Sequence, residues 1–278
     1  MTNYMPILPI WGLDLLTECK INHCFILPAL WNIPSYRDYY TSRSWKTVII
    51  DNDMYETPDK CADIQQMIDI ANSLDSEYTF IVGPEDMENG ANTVPMIAET
   101  IKQYGDSSDN WNLMSILHGK PSDIINQYQQ IHDLGVFAFG IAVSAWRQGY
   151  DRGAILRLIR PRVGDYFHAM GLDSLCEVVN INHAGFDSVD SSFAATCAFN
   201  NIDMFSRWNV VRKNLPSDPV RVDLTSDTAS FDIREQTSIN IQLLREYALN
   251  PVRFYHDSVT DLQRATLRVG RQLVDEVP

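Results

Sequence analysis

Short apolar runs recur along this chain, each followed by a polar turn and then a helical period. The runs are Phe25–Leu30, Thr47–Ile50, Tyr78–Val82, Leu113–Leu117, Val136–Val143, Tyr166–Met170 and Phe186–Val189. They are rich in Val, Ile, Phe and Tyr and do not alternate apolar with polar. That is the pattern of strands buried on both faces of a parallel sheet. Between them, Ala62, Ile64, Met67, Ile68, Ala71 and Leu74 form a helical stripe over Asp59–Leu74. Ile124, Ile125, Tyr128, Ile131 and Leu134 do the same over Ser122–Leu134, with Ser122 as N-cap and Gly135 as the C-terminal stop. Asp173 or Ser174 caps a shorter helix ending near Gly185. Strands alternating with helices mean βαβ units. Seven runs, with an eighth unplaced, predict a (β/α)8 TIM-type barrel rather than an open sheet. The tail, roughly residues 200–278, carries helical periods at Ser238–Leu249 and Ser258–Val277 and completes the barrel as a helical C-terminal portion. We expect one domain over residues 1–278.

Composition narrows the class. The apolar share of 45% and charged share of 21% are those of an ordinary globular protein. No apolar stretch approaches the length of a membrane span, and the N-terminus lacks the basic start of a signal peptide, so a cytoplasmic location is expected. Five scattered cysteines include no C-x-x-C pair; they read as reduced apolar residues, with no zinc site. The formal charge is −14, so any nucleic-acid contact must come from a local patch. Arg147, Arg152, Arg157, Arg160 and Arg162 crowd one segment, and Arg207, Arg212, Lys213 and Arg221 another. Either group reads as a phosphate-contacting patch or as a solvated helix face.

In such barrels the reacting residues sit at the C-terminal ends of the strands. There this chain places Asp51-Asn52-Asp53-Met54-Tyr55, Pro84-Glu85-Asp86, His118-Gly119, His168-Ala169-Met170-Gly171 and Asp190-Ser191-Ser192, with Gly140 inside the Val136–Val143 run. Any one of these acids alone reads as a helix cap. Carboxylates and histidines at most strand ends read as an enzyme. Two carboxylates facing one cleft suit glycosidic-bond chemistry, one attacking the sugar carbon and the other managing protons.

From Val48 to Asp190, the order of these pieces resembles the tRNA-guanine transglycosylase family. Asp51-Asn52-Asp53-Met54-Tyr55 is similar to that family's Asp-Ser-Gly-Gly-Tyr/Phe, with both glycines replaced. His118-Gly119 stands where the family has Gln-Gly, and Ala138-Phe139-Gly140-Ile141-Ala142 matches its small-residue strand. His168-Ala169-Met170-Gly171-Leu172 matches its Met-Gly block, and Gly185-Phe186-Asp187-Ser188-Val189-Asp190 its Gly-x-Asp-x-Phe-Asp. The resemblance implies that Asp190 is the nucleophile and Asp51 the general acid/base. Tyr55 and Met170 would sandwich the base. Glu85 or Asp86, His118, Gly119, Gly140, His168 and Gly171 would form its recognition edge, and Arg147, Arg152, Arg207 and Arg212 would hold the nucleic-acid backbone.

The family's zinc-binding cysteines, and the Pro-Thr-Arg and Arg-Asn-Gly stretch after the nucleophile, are absent. That makes the chain most similar to the 7-deazaguanine DNA transglycosylases of phages and bacterial modification clusters. The resemblance then implies a DNA substrate, a free 7-deazaguanine such as preQ0 as co-substrate, no cofactor and no metal, and protection of the modified DNA from restriction. Three other readings stay open: a tRNA-directed transglycosylase without the zinc module, a retaining sugar hydrolase on the same barrel, and a non-catalytic barrel that binds a nucleotide or a protein.

Overall fold

The computed structural model describes residues 1–54, 62–159, 161–172, 175–202, 204 and 222–250. Eight parallel strands are present: β1 (Asn3–Pro6), β2 (His23–Ile26), β3 (Ser44–Ile50), β4 (Asp75–Val82), β5 (Asn112–Leu117), β6 (Ala138–Ala142), β7 (Tyr166–Met170) and β8 (Ser188–Ser191). They hydrogen-bond in the order β1-β8-β7-β6-β5-β4-β3-β2. β1 and β2 lie side by side without a hydrogen-bonded ladder. The result is a nearly closed (β/α)8 barrel. The eighth strand, unplaced from the sequence, is β1, in register with β8 so that Met5 lies beside Asp190.

The helices are α1 (Leu13–Glu18), α2 (Pro34–Thr41), α3 (Ile64–Asn72), α4 (Thr93–Tyr104), α5 (Pro121–His132), α6 (Val143–Arg147), α7 (Arg152–Ile159), α8 (Leu175–Ala184), α9 (Phe193–Phe199) and α10 (Phe231–Leu249). Three starts differ from the sequence reading. α5 is capped at Lys120, not Ser122, because Pro121 fills the first helical position, where a missing N–H is harmless. The Lys120 N–H donates to the Asp123 carboxylate at 3.3 Å. α3 begins at Ile64, where Asp63 accepts the Gln65 N–H at 3.2 Å. Gly135 and Gly185 do follow their helices in left-handed conformation, at φ 105° and 91°. Asp173 and Ser174 lie outside the described residues, as does the period at 258–277.

α10 starts earlier than expected, with Ser230 accepting the Ile233 N–H at 3.4 Å. It packs on α8, α9 and β1, burying Ile241, Leu244, Tyr247 and Ala248, while Asn240 donates to the Ala194 carbonyl at 3.0 Å. α10 thus braces the part of the barrel that carries β8. No helix among the described residues is long and apolar enough to cross a membrane.

Register decides what faces inward. Parallel neighbours point their side chains to the same side, and successive residues alternate. Phe25 stacks on His168 at 5.8 Å and Phe80 on Tyr166 at 4.4 Å, so these rings fill the barrel. Phe139 and Phe167 face outward, against Tyr128 of α5. Gly140 is required by a close approach: a Cβ there would sit 2.4 Å from Ile116 Cδ1 and 3.0 Å from Met170 Cγ.

Candidate active site

A cleft of about 150 Å³ opens at the C-terminal end of the strands. A cavity of about that size holds a single ring molecule. Its polar lining is Asp51, Asn52, Glu85, His118, Asp190, Ser191 and Ser192; apolar walls include Ile7, Phe25, Ile116, Met170 and Leu172. Two carboxylates from nearly opposite ends of the sheet order, Asp51 after β3 and Asp190 in β8, therefore meet in one cleft.

Asp190 is 4% exposed and held through one oxygen. His168 Nε2 and the Gly171 N–H both reach Oδ1 at 2.8 Å. Among the described residues, Oδ2 takes no hydrogen bond. Gly171 can aim its N–H this way because it sits at φ 71°, in the left-handed region that glycine tolerates. Below Asp190 a polar row continues down the inner wall: His168 Nδ1 to Ser188 Oγ at 2.6 Å, and Ser188 Oγ to Tyr166 OH at 2.6 Å. Burial pushes the Tyr166 phenol far above its ordinary pKa; the bond to Ser188 opposes this and the charge of Asp187 adds to it.

Asp51 is buried where its N–H donates to the Ile26 carbonyl at 2.9 Å. The adjoining Asn52 donates to the Gly83 carbonyl and to Glu85 Oε1, each at 2.9 Å. The second oxygen of Glu85 meets His118 Nε2 in a short contact. Gln127 of α5 grips the His118 backbone from both sides, donating to its carbonyl at 2.6 Å and accepting its N–H at 3.2 Å. Among the described residues, His118 Nδ1 is buried with no hydrogen-bond partner, an exception to the usual pairing of buried polar groups.

The cleft gathers Asp190, Asp51, Glu85, His118, Met170 and Gly171 from the residues singled out in the sequence. It does not gather the others. Asp86 instead organises its own loop, accepting from the Glu88 and Asn89 N–H groups and the Asn92 amide. Those bonds hold its carboxyl below the usual range, the Asn92 bond most of all. Gly119 turns the chain into α5 at φ 105°, and Gly140 lies within β6 as a packing space. His168 lies beneath Asp190 rather than in the cleft wall, as its partner. Tyr55, Arg207, Arg212 and the side chain of Arg147 lie outside the described residues.

Arg152 corrects the sequence reading. It is 1% exposed and cannot touch a phosphate backbone. Its guanidinium pairs with Glu177, with Nε to Oε1 at 2.7 Å, and donates to the carbonyls of Ile141, Met170 and Gly171 at 3.0, 2.8 and 2.7 Å. Five N–H donors in a planar fork suit such a junction, so Arg152 ties the ends of β6 and β7 to α8 behind the cleft. Its neighbours Arg157 and Arg162 are exposed and lie near Asp151 and Asp133, at 4.0 and 3.5 Å.

Sequence reasoning missed Asn52, Phe25 and Ile7 as cleft residues. Asn52 could have been found, since it directly follows Asp51; Phe25 and Ile7 carry no polar signal. Among the described residues, no group of three His, Cys, Asp or Glu side chains could hold a metal ion. No protein-family model matches the chain, and no curated protein matches it.

Proposed function

We propose that this barrel is a base-exchange glycosyltransferase that removes guanine from DNA and inserts a 7-deazaguanine such as preQ0. The observation that carries the reading is the meeting of Asp51 and Asp190 in one ring-sized cleft, with Oδ1 of Asp190 anchored and Oδ2 left to react. The steps follow from that asymmetry. Asp190 Oδ2 attacks C1′ as the C1′–N9 bond breaks, and guanine departs with a proton from Asp51. A covalent sugar ester forms. The incoming base gives its N9 proton to Asp51 and attacks C1′ from the vacated face. The Oδ2–C1′ bond breaks, and its electron pair returns to the Asp190 carboxylate. Two displacements give net retention.

The size of the cleft supports extrusion of one nucleotide from the stack, at a cost of a few kcal/mol. Met170 and the other apolar walls offset part of it by contact with the base. They also exclude water, which would otherwise hydrolyse the ester. His118 and Glu85 supply a polar edge on the β4–β5 side. Phage-type protection from restriction, and a cytoplasmic site of action, belong to the same proposal.

A second reading is a retaining hydrolase of small glycosides. It is favoured because no Lys or Arg lines the described cleft, and Arg152 is committed to Glu177. One experiment separates the two. Purified protein is incubated with radiolabelled preQ0 and either duplex DNA or bulk tRNA, beside an Asp190→Ala variant. Label in DNA that disappears with Asp190→Ala is the expected result. Label in tRNA alone moves the substrate to RNA. A parallel incubation with aryl glycosides completes the test: aglycone release there, without label in either nucleic acid, favours the hydrolase, and no product from DNA, tRNA or glycoside overturns the enzyme reading.

A further inference from the structure

Barrel interiors are packed with apolar side chains. Here Tyr166, Ser188, His168 and Asp190 instead form an unbroken hydrogen-bonded row up the inner wall. The place of each proton follows from counting donors. An ionised Asp190 only accepts, so His168 Nε2 carries a hydrogen. A neutral imidazole then accepts at Nδ1, so Ser188 gives its single hydroxyl proton to that nitrogen. Ser188 oxygen is left to accept the Tyr166 O–H. Every proton in the row has an acceptor. With an imidazolium at His168, Nδ1 would also donate to Ser188, and the row's two lower contacts could not take three protons: either the serine or the phenol proton would lack an acceptor among the described residues.

We propose that Tyr166, Ser188 and His168 form a fixed donor chain that makes His168 a positioning residue for Asp190, locked as the Nε2–H tautomer. This rests on the base-exchange reading of the site. The chain has two effects on the reaction. It commits Oδ1 to accepting, so Oδ2 is the oxygen that attacks. It also tunes departure. In the ester, Oδ1 is a carbonyl oxygen and a weak acceptor; when the Oδ2–C1′ bond breaks, the returning electron pair makes it a carboxylate and a strong one. The two N–H donors therefore favour release of the sugar to the incoming base. Ser188 strengthens the donor by polarising the imidazole from its far side. Weakening the chain should leave Asp190 free to attack but slow to leave.

Nitrogen-15 NMR of the labelled full chain at neutral pH reads the tautomer directly, with His168→Gln assigning the signal. A neutral His168 protonated at Nε2 is expected; an imidazolium or an Nδ1–H tautomer overturns the proposal. Ser188→Ala tests the consequence in single-turnover base exchange. The expected signature is an undiminished burst of released guanine, a trapped protein–sugar ester, and ester resolution slowed about 10-fold. Tyr166→Phe keeps the ring against Phe80 and should act in the same direction, more weakly. Thermal melting shows that both variants are folded. Equal slowing of guanine release and ester resolution, with no ester accumulating, is what a merely structural role predicts and refutes the inference. If the wild type releases no guanine while His168 is the Nε2–H tautomer, the donor chain stands and the base-exchange reading falls.

Discussion

Replacing Arg152 by Met tests whether this arginine is a clamp or a phosphate contact. Met fills similar space but removes the charge and five donors. Glu177 would keep a carboxylate that is 1% exposed without its cation. The carbonyls of Ile141, Met170 and Gly171 would each lose a donor at 2.7–3.0 Å. Removing one partner of a buried pair costs about 3–5 kcal/mol, because the charge left behind loses the cation that offset its desolvation. With a urea slope of about 3 kcal/mol/M for a chain of this size, the unfolding midpoint should fall by roughly 1–1.7 M. Arg152→Met with Glu177→Leu removes both charges, and most of the loss should return. Urea titration followed by circular dichroism gives all three midpoints. An unchanged midpoint in Arg152→Met, together with weaker DNA binding, would refute the clamp and restore the phosphate contact read from the sequence.

Gly140→Ala forces a methyl to within 2.4 Å of Ile116 Cδ1 and 3.0 Å of Met170 Cγ. Overpacking of this kind costs about 1–3 kcal/mol, and the displaced Met170 should narrow the cleft, so melting temperature and affinity for the free base should fall together. Burial raises the Asp53 carboxyl to about 6, opposed by the Ala29 N–H that donates to it at 2.6 Å. The folded state then holds this proton more tightly than the unfolded chain, so the group penalises folding increasingly as pH rises from about 4 to about 6. Asp53→Asn should therefore stabilise the protein by up to about 2–3 kcal/mol at pH 7.5 and little at pH 4, measured as urea midpoints at both pH values. Ser115 Oγ is buried in β5 without a partner, so Ser115→Ala should raise stability by about 1 kcal/mol; a lower melting temperature would mean that the hydroxyl is satisfied.

The barrel was legible because strands buried on both faces announce themselves as unbroken apolar runs. Their limits were less so. In Phe25–Leu30 the strand stops at Ile26, since Pro28 cannot donate to a ladder and opens a 3-10 turn. β1 escaped notice because its four residues, Asn-Tyr-Met-Pro, are too few to show a period. The strand-end acids and histidines were legible as a set, and four of them, Asp51, Glu85, His118 and Asp190, do line one cleft. Their partnerships were not. That His168 serves Asp190, while His118 serves Glu85, depends on strand register, which sets who stands beside whom. Arg152 shows the same limit from the other side: composition identifies a cation, and only packing reveals that Glu177 and three carbonyls already claim it.

β8 gains its outer neighbour from the first residues of the chain, with Met5 beside Asp190 and a sequence separation of nearly the whole barrel. Contacts between such distant segments form late, because the intervening loop must close first. While the chain is being synthesised, β1 has an unpaired edge and waits for β8. A ribosome-bound fragment ending before residue 188 has neither Asp190 nor the strand that seats it. The protein therefore matures as a unit: the carboxylate that would open a glycosidic bond is set in place in the same event that pairs β8 with β1.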